Sequence, residues 1–179
     1  MIRIPFWAGE FVFAIIWLLV RIRIWKKRGR INWKRELALM LLFVNYAVLI
    51  RFSFFPLAEI NGKIQPLVFD YHRVLPLRIN LIPFVQILWF DTTKDMLVNL
   101  AGNVAMFIPT GIIYPLLFRK MNRFWKVFLA GIGLSLTIEL LQLPFAVRAT
   151  DVDDLILNTS GVIIGYIIYC LFIKKYRGK

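Results

Sequence analysis

The sequence predicts an all-α integral membrane protein of about five transmembrane helices, with the N-terminus outside and the C-terminus cytoplasmic. Three observations lead there. Of 179 residues, 60% are hydrophobic and 18% charged, whereas a soluble domain is typically about 45–50% apolar and about 25% charged. The apolar residues fall in blocks approaching the roughly 20 that a helix needs to cross hydrocarbon. The basic excess, 23 Lys and Arg against 10 Asp and Glu for a net charge of +13, collects between the blocks.

The same figures exclude other classes. The charge density is too low for a disordered tail, and the single cysteine, Cys170, rules out a disulfide scaffold. A charge of +13 invites a nucleic-acid reading, but membrane topology accounts for it, so no nucleic-acid partner is expected. The chain reads as one membrane domain over residues 1–179.

Five segments are predicted to span: about Pro5–Val20, Leu37–Phe55, Leu97–Phe118, Phe124–Phe145 and Leu155–Ile173. Between the first two, RIRIWKKRGRINWKRE carries eight basic residues. Four more, Arg119, Lys120, Arg123 and Lys126, lie between the third and fourth, and the tail carries Lys174, Lys175, Arg177 and Lys179. Strict alternation puts all three patches on one face, which the retention of Lys and Arg in the cytoplasm makes the inner one. The first segment has only Arg3 before it and its strong charge after it, the reverse of a cleaved signal peptide, so it is read as an uncleaved span. The hydrophilic piece from Pro56 to Met96 then lies outside. Within it Leu77–Phe90 is apolar but too short to cross, and Pro76 and Pro83 oppose one continuous helix, which predicts an interfacial or re-entrant segment.

Ionisable groups in a membrane cost several kcal/mol each, so each needs a partner, a cavity or a purpose. Glu10, Arg51, Asn99, Asn103, Glu139, Gln142, Asp151, Asp153, Asp154 and Asn158 all fall in the outer half of the bilayer under a topology fixed from other residues. Residues three and four apart share a helix face. Asn99, Asn103, Met106 and Thr110 form one stripe, Ser135, Glu139 and Gln142 a second, and Asp151, Asp154, Asn158, Gly161 and Gly165 a third. Facing one another, they would line a pocket open to the outside. Glu139, six residues before Phe145, would lie about 9 Å below the outer end of its span, with Arg51 and Arg148 as the available bases.

Plainer roles compete for the same residues. Asn99, Asn103, Ser135 and Gln142 could simply bridge helices, and Gly161-x-x-x-Gly165 reads first as close helix packing. Thr150-Asp151-Val152-Asp153 has the pattern of a capped helix start with acids in its first turn. No serine or cysteine triad is expected, since the only histidine, His72, sits in the outer loop. One His and one Cys far apart exclude zinc. Asp151-x-Asp153-Asp154-x-x-x-Asn158 lacks the turn glycine and final glutamate of a calcium loop, so neither a metal nor a cofactor is predicted.

Asn80-Leu81-Ile82-Pro83-Phe84, Asn99-Leu100-Ala101-Gly102-Asn103, Phe107-Ile108-Pro109-Thr110-Gly111, Glu139-x-x-Gln142, Arg148, Asp151-x-x-Asp154 and Asn158-x-x-Gly161 together resemble the VanZ-like family. The resemblance runs from about Asn80 to Gly165, within a core of about 77–173. It implies a multi-pass protein of a bacterial plasma membrane and a role in lowering susceptibility to teicoplanin, a lipid-tailed glycopeptide antibiotic. Two readings of the pocket follow. In the first it recognises a lipid, a lipid-linked cell-wall intermediate or a lipoglycopeptide through Asn80, Asn99, Asn103, Glu139, Gln142, Arg148, Asp151, Asp154 and Asn158, with the Arg148 guanidinium meeting phosphate or carboxylate. In the second it is an intramembrane enzyme that modifies a lipid-linked substrate, with Glu139 and Asp154 as acid and base. A proton-coupled transporter ranks last, because the inner halves of the spans hold almost no ionisable groups. A homo-oligomer has no support in the sequence.

Overall fold

A computed structural model describes residues 2–55, 59–60, 63–69, 79–85, 91–145 and 150–173. The chain divides into two compact units, Met1–Leu75 with Pro144–Val147, and Pro76–Leu143 with Arg148–Lys179.

The first unit is built on a helical hairpin. Helix α1 runs Phe6–Arg28 and stops at Gly29, whose φ of 62° puts it in the left-handed region. There its N–H donates to the Trp25 carbonyl at 3.0 Å, the glycine stop that ends many helices. Three cations, Lys26, Lys27 and Arg28, fill the last turn, where the helix dipole favours positive charge. Helix α2, Trp33–Phe54, starts on Asn32, whose side chain accepts the Arg35 N–H at 3.1 Å. Phe13 stacks on Phe43 with centroids 5.1 Å apart, and Trp17 leans on the same ring at 5.5 Å. Towards the turn, the Arg21 guanidinium forms a two-pronged salt bridge with Glu36. At the other end Phe55 meets Phe6 edge-on. Strand β1, Ile2–Ile4, pairs antiparallel with a later strand, Leu67–Phe69, and Glu59–Ile60 pairs with Lys63–Ile64. In chain order these last three are β2 (Glu59–Ile60), β3 (Lys63–Ile64) and β4 (Leu67–Phe69).

The second unit is a three-helix bundle of α3 (Thr93–Leu117), α4 (Phe124–Gln142) and α5 (Val152–Ile168). A π-helical turn, Tyr169–Ile173, continues α5. Thr92 caps α3, its hydroxyl accepting the Asp95 N–H at 3.1 Å and donating to the Asp95 carboxylate at 2.7 Å. Pro109 and Pro115 sit inside α3 without ending it, as membrane helices tolerate. Helices α3 and α5 run parallel with their backbones touching. A Cβ on Gly161 would lie 2.2 Å from the Val104 carbonyl oxygen, and one on Gly165 would lie 2.0 Å from that of Ile108. The close packing expected of Gly161-x-x-x-Gly165 is therefore present, and Gly111 serves it from the α3 side, where an added Cβ would lie 2.2 Å from the Val162 oxygen. Helix α4 packs antiparallel to α5: Gly131 abuts Val162, Ser135 meets Asn158, and Glu139 meets Asp151. The Tyr166 hydroxyl ties α5 to the α3–α4 link by donating to the Asn122 carbonyl at 2.9 Å.

Four helical segments are long and apolar enough to cross a membrane: Trp33–Phe54, Thr93–Leu117, Phe124–Gln142 and Val152–Phe172. The first predicted span lies within α1 but is not among them. Its 23 residues suffice in length, yet Glu10 and then Arg21 and Arg23 confine the uncharged stretch to Phe11–Val20. The fourth predicted span is also shorter than expected. Helix α4 ends at Gln142, and Leu143 and Pro144 turn away before Phe145, which bridges to Phe69. Glu139 thus occupies the last turn, about 4.5 Å from the helix end rather than about 9 Å.

Candidate functional site

The start of α5 gathers the carboxylates. Asp151 is its N-cap, accepting the Asp153 N–H at 2.9 Å, as the capping pattern in the sequence predicts. Placing the cap there brings the Asp151 N–H to the end of α4, where it donates to Glu139 Oε2 at 3.1 Å. Glu139 and Asp151 are each 2% exposed, so the bond joins two helix ends in a setting where an unmet donor or acceptor is costly. One turn into α5, Asp154 accepts the Asn103 amide at 2.6 Å, which joins α3 to the same end. Deeper in the bundle the Asn158 amide donates to the Ser135 hydroxyl at 3.0 Å, with both residues buried. Because α3 and α5 run parallel and α4 opposes them, these groups share one end of the unit.

A loop from the long connection closes on this end. Strand β5, Ile79–Asn80, lies parallel to β6, Thr150–Asp151, with Asn80 opposite Asp151. The Asn80 amide donates to the Asp151 carboxylate at 3.3 and 3.4 Å, while its own oxygen accepts the Ile82 N–H at 3.2 Å. That is an Asx turn. The chain then reverses through Pro83 to Phe84, whose φ of 67° is the only positive value at a non-glycine among the described residues. The Phe84 N–H donates to both oxygens of Asp153, at 2.8 and 3.0 Å. Residues 79–85, the described part of the predicted segment Leu77–Phe90, are not helical, as Pro83 leads one to expect. With its polar groups turned to the acids, the loop presents Leu81, Ile82 and Phe84 outward at 74%, 66% and 62% exposure.

Of the predicted site residues, Asn80, Asn103, Glu139, Asp151 and Asp154 therefore belong to this network, and Asn158 lies below it. Gln142 is buried in the last turn of α4. Asn99, one turn nearer the start of α3 than Asn103, is half-buried and takes part in none of these bonds. Arg148 and His72 lie outside the described residues. The sequence assigned Asp153 only to capping, yet it holds the loop; the turn-forming run Asn80 to Pro83, with backbone N–H groups needing acceptors, was the available signal. Among the described residues no three His, Cys, Asp or Glu side chains converge on a metal position.

An apolar three-helix bundle with its carboxylates gathered at one end, preceded by another long apolar helix, defines a multi-pass membrane protein. The family model VanZ/LLP1 matches residues 37–173, and the chain belongs to the VanZ family of bacterial membrane proteins. Protein VanZ of Enterococcus faecium is 35% identical over 112 residues, covering 63% of this chain and 63% of that protein, so the alignment leaves over a third of each outside. No solved structure matches this chain.

Proposed function

We propose that this chain recognises a lipid-tailed molecule at the outer face of the bacterial membrane, either a lipid-linked cell-wall precursor or a lipoglycopeptide, and thereby lowers susceptibility to teicoplanin. The observation that carries the reading is the loop at residues 80–84. Its apolar tip, Leu81, Ile82 and Phe84, is exposed while Asp151 holds the Asn80 side-chain amide and Asp153 the Phe84 N–H from behind. Exposed apolar side chains beside a fixed polar cluster suit a ligand with a hydrocarbon tail and a hydrogen-bonding head. Placement at the outer face rests on the basic patches, which belong to the opposite ends of these helices. Membership of the VanZ family supports the resistance role.

The test uses a teicoplanin-sensitive Gram-positive host expressing the wild type, Glu139→Gln, or the paired loop variant Leu81→Asn with Ile82→Asn, each confirmed in the membrane by blot. Wild type is expected to raise the inhibitory concentration and reduce surface binding of labelled teicoplanin, and the loop variant to lose both effects. Full protection from the loop variant at equal expression would sink the proposal.

A further inference from the structure

Outside the residues that the family model matches, the α1–α2 turn encloses a pocket of about 630 Å³ lined by Trp25, Arg28, Arg30, Asn32, Arg35 and Glu36, with Ile31 beside them. The volume is that of an ordinary small-ligand site. Its chemistry is one-sided. Trp25 Nε1 and Arg35 Nε are buried N–H donors with no acceptor, and neither side chain can accept. Glu36, the one acid in the lining, is already engaged by Arg21 from outside the pocket. Among the described residues Arg28, Arg30 and Arg35 have no acidic partner. The first turn of α2 opens here as well, adding the positive end of a helix dipole. Two buried unmet donors, the exposed guanidinium groups of Arg28 and Arg30 at the rim and a helix start together suit an anion rich in acceptors.

The pocket also lies at the end of a hairpin whose α2 is long and apolar enough to cross a membrane, at the level where an indole with one polar edge sits between hydrocarbon and water. The anion presented at that level is a phospholipid phosphate. Basic clusters beside spans draw anionic headgroups at about 1 kcal/mol per residue, and planar guanidinium groups fix a phosphate by paired hydrogen bonds. We infer that the α1–α2 turn holds the phosphate of an anionic phospholipid, with Arg28 and Arg35 as its charge partners and Trp25 as a neutral donor.

The test counts lipids on the full chain, purified in detergent, by native mass spectrometry. Phosphatidylglycerol and phosphatidylcholine with the same acyl chains are the probes, with inorganic phosphate as a third arm. Wild type is expected to retain phosphatidylglycerol selectively. Arg28→Gln with Arg35→Gln should weaken it by at least about tenfold through the lost charge-assisted hydrogen bonds to the phosphate, whereas Arg23→Gln with Lys27→Gln, which removes equal charge outside the pocket, should weaken it by no more than about threefold. Trp25→Phe, with no charge change and little risk to folding, should cost about threefold through the lost N–H. Equal loss in the two charge variants, no effect of Trp25→Phe, or equal retention of phosphatidylcholine would overturn the site. Displacement of the lipid by inorganic phosphate at matched concentration would assign the pocket to the free anion and overturn the lipid.

Discussion

Asp153 takes the Phe84 N–H on both carboxylate oxygens, at 2.8 and 3.0 Å, across 69 positions of sequence. The bond requires two unusual choices at once. Phe84 must adopt a left-handed backbone, which costs about 1–2 kcal/mol at a residue with a side chain, and an acid must face inward at 7% exposure. Each offsets the other, since the left-handed turn aims the N–H and the charge makes the hydrogen bond a strong one.

Removing the acid should free the loop without dismantling the bundle. Asp153→Ala is expected to cost about 1–3 kcal/mol, and Asp153→Asn less, because an amide oxygen remains to accept one N–H. Hydrogen exchange of the full chain checks this. Protection should fall at Phe84 and Ile82 in Asp153→Ala and persist in the middle of α5; unchanged protection at Phe84 would remove Asp153 from the role given to it here.

The helices were legible because apolar blocks of spanning length have few alternatives in lipid. Their ends were not. Helix α2 begins at Trp33, before the predicted Leu37, and α3 at Thr93, before the predicted Leu97, because Asn32 and Thr92 cap polar first turns that hydropathy alone leaves out. The facing stripes on α3, α4 and α5 were legible from steps of three and four, and the bonds Asn103 to Asp154 and Asn158 to Ser135 join stripes read in this way. The tie from residues 80–84 to Asp151 and Asp153 was not, since it depends on a two-residue strand pair and a left-handed phenylalanine. Neither leaves a periodic trace.

The α3–α5 seam makes a second prediction. Gly161→Ala and Gly165→Ala would place methyl groups 2.2 and 2.0 Å from backbone oxygens that cannot retreat without moving α3. Overpacking of this kind typically costs about 1–3 kcal/mol, and backbone obstacles put these cases at the upper end. Gly133 has nothing within 4 Å of its Cβ position, so Gly133→Ala should be neutral or stabilising by up to about 1 kcal/mol through helix propensity. Thermal unfolding in one detergent should rank Gly133→Ala at or above wild type and both seam variants well below it.

The salt bridge between Arg21 and Glu36 makes a third. Both side chains are largely buried, at 10% and 15% exposure, and cutting one partner from a buried pair costs more than the pair is worth, about 3–5 kcal/mol at full burial. Arg21→Met and Glu36→Gln should each destabilise the α1–α2 hairpin, and the double variant should lose less than the sum. A double-mutant cycle on unfolding midpoints measures the coupling. A coupling near zero would make the pair an incidental surface contact.

Phe84 separates backbone from side chain and so gives the sharpest prediction for the loop. Phe84→Gly keeps the N–H that reaches Asp153 and removes the cost of a positive φ, so the loop should stay closed, with Phe84 N–H exchange no faster than in wild type. Phe84→Val places a β-branched residue where the left-handed region is least tolerated, and exchange there should rise. The two variants shed the same aromatic ring. If recognition depends on the Phe84 ring, teicoplanin protection should fall in both, whereas dependence on loop closure alone would leave Phe84→Gly protective and Phe84→Val not.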